Sequence, residues 1–302
     1  MEWITDLLTM MISAGTPLLL ATVGEIYAER SGILNLGVEG MMAVGAVTAF
    51  AITLATGNPV LGFLLATLTG CLLACVHAFL SISIRSNQVI SGLALSMLGL
   101  GISSLAGRRL IGTPLPVAIR KIPVPLLSDI PVVGAFFNQD PITYTSYVLV
   151  VLLWFILFKT KLGVVIRACG ENPQAVHSAG IDVYLIRYLC TLIGGALAGL
   201  SGAYLSVVYT PTWIEGMTAG QGWIAIALVI FAVWNPIYAT IGAYLFGGIR
   251  ILQYRLQPLG ISVPLLKTLP YVCTIIVLVV ASSGKFRKKI GAPAALAIPF
   301  EK

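Results

Sequence analysis

The sequence predicts an all-α fold, a polytopic membrane helix bundle of eight to ten transmembrane helices with at least one discontinuous segment. Of the 302 residues, 58% are hydrophobic and only 10% are charged, and the mean hydropathy is +0.98. Soluble domains carry about 25% charged residues, so this composition excludes a soluble globular protein. Because apolar runs of membrane length recur along the chain, residues 1–302 are expected to form a single transmembrane domain.

Nine apolar runs are candidate membrane helices, because one crossing needs about 20 apolar residues. They cover residues 4–28, 40–56, 60–84, 88–107, 142–158, 183–209, 223–234, 237–254 and 264–281. The first run lacks the cationic start of a cleaved signal peptide, so we expect it to remain as a helix. The run at 223–234 is too short to cross alone, which is typical of a helix broken near the membrane midplane.

Clusters of lysine and arginine predict the orientation, because cytoplasmic loops carry an excess of both residues. The densest clusters lie at residues 159–167 and 285–289. We therefore expect the loop at about 159–182, the basic tail at about 282–302 and the C-terminus to be cytoplasmic. The same threading places residues 108–140 outside. Five prolines should keep that segment extended or in short pieces, as a docking surface or as a lid over the bundle.

Charge and cysteine content exclude several further classes of site. The net charge of +7 reflects loop cations in a membrane protein, so no nucleic-acid partner is expected. The five cysteines form no CxxC pair, and no metal-ligand spacing is present, so we expect neither a disulfide nor a metal site. Cys71 and Cys75 lie one helical turn apart in an apolar run and are expected to be packing residues. His77 is expected to be a core histidine whose polar atoms are satisfied.

The most informative polar stretch is KTKLGVVIRACGENPQAVHSAGIDV, residues 159–183. Asn172 is a favourable N-cap, Pro173 suits a first helical position, and Gly180 suits the left-handed residue after a helix end. These residues predict a helix of about two turns at 173–179. Asp182 should cap the next membrane helix. The spacing alone fits either an ordinary capped connector or a stiff element that transmits force to a partner.

Three blocks of the sequence resemble the permease subunits of ABC importers for sugars, nucleosides and branched-chain amino acids. Residues 160–203, centred on GENPQAVHSAGI, resemble the cytoplasmic loop of that family. Residues 24–46, GEIYAERSGILNLGVEGMMAVGA, are similar to the N-terminal signature of its nucleoside branch. Residues 210–236, TPTWIEGMTAGQGWIAIALVIFAVWNP, match a third block. The blocks lie in the family's order, and the resemblance covers most of the chain.

The resemblance implies a coupling helix that fits a groove on an ATP-hydrolysing partner subunit. It assigns this role to Gly170, Glu171, Asn172, Pro173, Ala175, Ala179 and Gly180. The chain has no GxxxxGK[ST] motif, so we expect no enzymatic activity and no cofactor in it, with ATP and Mg bound by the partner ATPase. The other implied partners are a second homologous permease or a copy of this chain, an extracytoplasmic substrate-binding lipoprotein, and membrane lipid. A heterodimer in the bacterial inner membrane is expected.

Polar residues within the apolar runs are candidates for a substrate path, because intramembrane carboxylates tend to face the bundle interior or a water-filled cavity. The candidates are Glu25, Asn35, Glu39, Trp213 and Trp223. The glycines at 32, 37 and 40 would allow an unwound stretch whose backbone lines the path. Glu29 and the adjacent Arg30 are expected to form a structural ion pair. Glu25 and Glu39 remain open between a structural role and the path.

The tryptophans near the short run have two interpretations. Trp213, Trp223 and Trp234 are expected to anchor the protein at the membrane interface. Alternatively, Trp213 or Trp223 lines the outer mouth and stacks on a nucleobase.

Small residues recur every fourth position along the run that begins near 183, where they let helices approach closely in lipid. The expected helix-packing residues are Gly194, Gly195, Ala198, Gly199 and Gly202.

The leading functional hypothesis is the permease subunit of an ATP-driven ABC importer, which moves a nucleoside, or a simple sugar, delivered by a binding protein. The alternative is an ion-coupled secondary transporter of a small polar solute, which would use the intramembrane glutamates and His77. An intramembrane hydrolase would need a Ser/His dyad or metal ligands, and the sequence offers only His77 and His177.

Overall fold

The computed structural model describes residues 2–259, 262–282 and 291–301, which form a bundle of eleven α-helices. The helices are α1 (Glu2–Arg30), α2 (Val38–Thr56), α3 (Pro59–Ala78), α4 (Gln88–Gly107), α5 (Pro141–Lys159), α6 (Lys161–Glu171), α7 (Pro173–Ser178), α8 (Val183–Tyr204), α9 (Gln221–Phe231), α10 (Pro236–Leu256) and α11 (Val263–Ser282). Single π-helical turns, Phe79–Ser83 and Leu205–Tyr209, extend α3 and α8. The all-α prediction is confirmed.

Short polar side chains set the start of most membrane helices. In five of them the N-cap side chain accepts hydrogen bonds from backbone N–H groups of the first turn, which have no partner within the helix. These N-caps are Asn58, Asn87, Asp140, Asp182 and Asn235. Three of the five precede a proline, whose fixed φ suits the first helical position. The helix boundaries are therefore written locally in the sequence.

Among the described residues, six helices are long and apolar enough to cross a membrane: those at Trp3–Arg30, Val38–Thr56, Pro59–Ser83, Gln88–Gly107, Pro141–Lys159 and Val183–Tyr209. Each of the nine apolar runs corresponds to a helix, but the predicted count of eight to ten crossings is not confirmed. The run at 223–234 forms α9, which has only 11 residues. At about 1.5 Å per residue it is too short to cross the roughly 30 Å hydrocarbon layer.

The centre of the bundle is α8, which packs against α1, α2 and α3. Its glycines lie against the backbones of all three neighbours. Gly194 faces Gly24 of α1, Gly199 faces Ala66 of α3, and Gly202 faces Met42 of α2. A β-carbon at any of these glycines would meet neighbouring atoms closely. Small side chains therefore allow three helices to pack around one.

The segment between α4 and α5 lies at one end of the bundle and contains only short pieces of structure. Strands β1 (Ile122–Pro123) and β2 (Asn138–Gln139) pair antiparallel, and a 3₁₀ turn covers Val133–Phe136. The prediction that its prolines prevent long helices is confirmed. The backbone N–H of Val132 donates to Thr5 Oγ1 at 3.1 Å, which places the start of α1 at the same end.

At the opposite end, the α5–α8 connection holds two helices rather than the one predicted. The predicted two-turn helix is confirmed as α7, with the Asn172 side chain accepting from the Ala175 N–H at 3.0 Å and Gly180 at φ +80°. The preceding helix α6 was not predicted. It is amphipathic and begins at Thr160, whose hydroxyl accepts from the Gly163 N–H. The 285–289 basic cluster lies outside the described residues.

Candidate functional site

The break between α1 and α2 is an ordered loop held by one carboxylate. Glu25, buried in α1, accepts a hydrogen bond from the Asn35 N–H at 2.9 Å. Asn35 is also buried, and its side-chain oxygen accepts from the Gly37 N–H at 2.9 Å just before α2 begins. The second oxygen of Glu25 is buried and has no partner among the described residues. The structure thus brings Glu25 and Asn35, both candidates for the path, together.

Glu29 and Arg30 do not form the predicted ion pair. The Glu29 carboxylate accepts from the indole N–H of Trp234 at 2.6 Å. Arg30 instead donates to the carbonyl oxygens of Val233 and Trp234, each at 3.2 Å. Consecutive helical residues point about 100° apart. The two side chains therefore contact different atoms of the turn between α9 and α10, residues 232–235. Trp234 is buried, and the expectation that it anchors at the interface is therefore wrong.

Glu39 joins the start of α2 to the start of α9. One carboxylate oxygen accepts from the Thr218 hydroxyl at 2.6 Å and the Gly220 N–H at 2.9 Å, and the other accepts from the Gly222 N–H at 2.6 Å. The first N–H groups of a helix have no partner within it, and they favour a negative charge. The buried carboxylate therefore holds the interrupted helix in place.

The two tryptophan candidates occupy different surroundings. The Trp213 side chain is buried against Gly107 and Phe50, with its ring centroid 6.4 Å from that of Phe50. Its indole N–H is buried without a partner within the described residues. Trp223, in the first turn of α9, is 36% exposed. In this structure Trp213 is a packed core residue, while Trp223 is open to the surroundings.

His77 is buried, and each of its ring nitrogens lies within hydrogen-bonding distance of a polar atom. Nδ1 lies 3.1 Å from the Ser91 hydroxyl, and Nε2 lies 3.1 Å from the Leu34 carbonyl oxygen. The prediction of a satisfied core histidine is confirmed. Within the described ranges, no group of three or more His, Cys, Asp or Glu residues could hold a metal ion.

Sequence reasoning missed how residues 291–301 dock on the α6–α7 end of the bundle. The Ala295 N–H donates to the Gly170 carbonyl at 2.7 Å, and the Ala294 N–H donates to Glu171 at 3.3 Å. Phe300 is buried against Val176 of α7 and its ring lies edge-on to that of His177, at 5.8 Å between centroids. The apolar side chains of this segment were the one sequence signal that it packs against the bundle, and they show little periodicity.

Arg187 of α8 ties this segment to the α1–α2 loop. Its buried guanidinium donates to the carbonyl oxygens of Ser31 at 3.1 Å and Ile298 at 3.2 Å. The Ala297 N–H donates to the Gly32 carbonyl at 3.2 Å. In the same region Cys169 is buried, and burial raises the pKa of its thiol to about 11. The thiol therefore stays protonated near neutral pH, as a packing residue does.

On α7 itself, Val176 faces inward and most of its neighbours face outward. The exposed residues are Gln174, Ala175, His177, Ser178 and Ala179. Of the residues with an implied coupling role, Glu171, Asn172 and Gly180 are also exposed, Pro173 is half-buried, and Gly170 is buried against the Arg30 backbone. Helix α7 is thus a short helix at one end of the bundle, held by buried Val176 and exposed over most of its surface.

Comparison with known proteins gives consistent matches over nearly the whole chain. Residues 7–279 match the family described as branched-chain amino acid transport system / permease component. TsgC13 of Haloferax volcanii, provisionally named a glucose ABC transporter permease protein, is 42% identical, with 98% of this chain and 97% of that protein covered. The guanosine ABC transporter permease protein NupQ of Bacillus subtilis is 35% identical, with 99% and 98% covered.

The nucleoside ABC transporter permease protein NupC of Lactococcus lactis is 36% identical, with 89% of each chain covered. No solved structure matches the chain significantly. The family match spans far more than half of the chain, and it agrees with the apolar helices described above. The chain therefore belongs to the branched-chain amino acid transport system permease component family and is an ABC transporter permease subunit, a transport component rather than an enzyme.

Proposed function

We propose that this chain is the membrane-spanning subunit of an ATP-driven importer that moves a nucleoside from an extracytoplasmic binding lipoprotein to the cytosol. The observation that carries the proposal is the end-to-end similarity to ABC permeases, two of which are named for guanosine or nucleoside transport. Membership of this family favours ATP-driven import over the ion-coupled alternative. A simple sugar is the second candidate solute, because TsgC13, at 42% identity, is named for glucose.

Helix α7 is the proposed contact with the partner ATPase, which would bind ATP and Mg. The helix is short and capped at both ends, and one face of it is exposed. The seven residues with an implied coupling role, between Gly170 and Gly180, lie within the helix or directly beside it. Asp182 follows directly and caps α8, accepting from the Tyr184 and Leu185 N–H groups. A push on α7 would therefore reach α8, the helix on which α1, α2 and α3 pack.

The proposed orientation places α6, α7 and the 291–301 segment in the cytoplasm. Lys159, Lys161 and Arg167 lie at this end, and Arg85 joins it through a 3.7 Å contact with Glu301. An excess of Lys and Arg is typical of the cytoplasmic side. Residues 108–140 then face outward, where the binding lipoprotein would dock. The inner membrane of a bacterium is the proposed location.

Pairing with a second homologous permease, or with a copy of this chain, would complete the transporter. The outer faces of α3, α4 and α5 leave a place for lipid or a partner, since only about a third of each is buried. Glu25, Asn35, Glu39, Trp213 and Trp223 are retained as candidates for the path. In the structure the first three hold backbone N–H groups or each other, so a role in transport would require these contacts to rearrange.

The test reconstitutes this chain with its ATPase, its paired permease and the binding lipoprotein in liposomes, and measures ATP hydrolysed per nucleoside imported. We expect Glu171→Lys and Pro173→Leu to raise this ratio by at least about ten-fold while both proteins stay folded in the membrane. The charge reversal Asp6→Lys, at an exposed position near the start of α1 and outside residues 108–140, should leave the ratio unchanged. Full uptake by the isolated chain without an ATPase would refute the assignment.

A further inference from the structure

A cavity of about 370 Å³, whose mostly apolar wall carries several polar side chains, lies between α1, α9, α10 and α11. Its volume is within the roughly 300–1,000 Å³ of small-molecule sites. The residues that the argument uses are Gln221, Phe246, Arg250, Gln253, Tyr254 and Tyr271. It lies in the half of the bundle that holds residues 108–140, because Arg255, just beyond Tyr254, stacks on Trp3 near the start of α1. None of these residues belongs to the path candidates considered above.

Gln221 is the strongest indication that the cavity takes a ligand. This residue is 4% exposed, and neither its amide oxygen nor its amide nitrogen has a hydrogen-bond partner within residues 2–259, 262–282 and 291–301. Buried amides are nearly always paired, because leaving one unpaired is unfavourable. Glu39 already accepts from the backbone N–H groups on either side, at Gly220 and Gly222. The Gln221 side chain is thus held at the cavity wall without a role in fastening α9.

Arg250 adds a second unpaired donor to the same wall. Its guanidinium carbon lies 5.0 Å from the centroid of the Tyr209 ring, and its Nη1 is buried without a partner in the described part of the chain. The cation disfavours positively charged solutes and can donate to an acceptor. Gln253, only 8% exposed, supplies a further amide nearby. Among the described residues, the wall therefore offers donors and acceptors but no carboxylate.

We propose that this cavity is an intramembrane binding site for a neutral solute with an adjacent donor and acceptor on a planar ring, the lactam-type edge of a nucleobase, and that Gln221 pairs with that edge. An amide presents one acceptor and two donors in a plane, which matches such an edge. Phe246, Tyr254 and Tyr271 supply the aromatic surface on which a base stacks. The inference deepens the proposed nucleoside transport and rests on it.

The test measures uptake of radiolabelled guanosine, uridine and glucose by the complete transporter in proteoliposomes, for Gln221→Leu, Gln253→Leu and the parent. We expect Gln221→Leu to reduce nucleoside uptake at least ten-fold, and Gln253→Leu to reduce it less. The matched control is Thr240→Val on α10, the helix that also carries Gln253; Thr240 lines a different cavity, of about 390 Å³. Its uptake should equal that of the parent.

Thermal unfolding separates binding from a structural role. Because Gln221 has no partner to lose, Gln221→Leu should leave the melting temperature of the empty transporter unchanged or raise it. If Gln221→Leu lowers both the melting temperature and the nucleoside uptake, Gln221 has a structural role and the proposal is overturned. Normal guanosine uptake by Gln221→Leu would overturn the site and leave the proposed function standing. Glucose uptake without nucleoside uptake by the parent would overturn the proposed function and the nucleobase assignment together.

Discussion

The three buried glutamates in the first two helices are held by three different sets of donors. Glu25 accepts from the backbone of the loop that follows it, Glu29 from an indole, and Glu39 from a hydroxyl and two backbone N–H groups. Buried carboxylates are tolerated when their oxygens are hydrogen-bonded. The Glu29 and Glu39 contacts fix α9 and its flanking turns onto α1 and α2, while the Glu25 contact holds the loop between α1 and α2.

The Glu29 contact gives a direct test at the scale of one residue. Trp234→Phe removes the indole N–H while keeping an aromatic ring, so the Glu29 carboxylate loses its partner. Leaving a buried acceptor unpaired should lower the free energy of unfolding by about 1–3 kcal/mol. Chemical unfolding in detergent measures the change. Trp3→Phe is the control, because Trp3 is 62% exposed. Equal stability of the two variants would contradict the role of Glu29.

Sequence reasoning located the buried glutamates but not their partners. Glycines and carboxylates within an apolar run indicated a polar break, and the structure shows one there. The donors to Glu29 and Glu39 lie about 180 to 205 residues away in sequence. Such long-range pairs depend on how the helices pack, which no local pattern records. The unpaired amide of Gln221 was missed for the same reason.

At the scale of a helix, α8 depends on glycine for its contacts. Gly202→Ala would place a methyl group against the Met42 carbonyl oxygen, where the backbones of α8 and α2 are already in contact. Overpacking of this kind typically lowers the free energy of unfolding by about 1–3 kcal/mol.

Gly101→Ala on α4 is the matched control, because a β-carbon there meets nothing within 4 Å. Alanine favours a helix over glycine by about 1 kcal/mol, so this variant should be slightly more stable than the parent. Thermal unfolding in detergent should therefore shift in opposite directions for the two variants. If Gly202→Ala leaves the free energy of unfolding unchanged, α8 and α2 can move apart without loss of stability.

Helix boundaries were the most predictable feature of the elements, because capping is local. Asn172, Pro173 and Gly180 predicted α7 to within a residue of its end. Helix α6 was missed because its sequence, KLGVVIRACGE, is short and carries a charged residue at each end. It therefore does not stand out as one of the long apolar runs from which the other helices were predicted. Its stability comes from packing: Ile166 and Cys169 are buried against neighbouring helices.

At the scale of the molecule, the 291–301 segment closes the end of the bundle that carries α7. Phe300, which is 5% exposed, is its main apolar contact. Truncating a buried phenylalanine removes about 3–5 kcal/mol of packing. Phe300→Ala should therefore release the segment and speed tryptic cleavage near Lys161 and Arg167 by at least about ten-fold. Ile298→Ala, at a side chain 55% exposed, should cleave at the parent rate.

If Phe300→Ala and Ile298→Ala resist trypsin equally, the segment does not protect α6.

The whole-molecule architecture was predictable in outline, because composition and apolar runs together require a membrane bundle. The docking of residues 291–301 was not, since an apolar tail carries no signal for the surface that it meets.

The 291–301 segment follows all eleven described helices, so it leaves the ribosome after them. Arg187, by contrast, emerges more than a hundred residues earlier, and its guanidinium can bond to the Ile298 carbonyl only after that residue has been made. A nascent chain can thus insert its helices and still present an unfinished α6–α7 end. Only a chain read through to residue 300 carries the finished surface, so formation of the ATPase contact proposed above would be timed by translation.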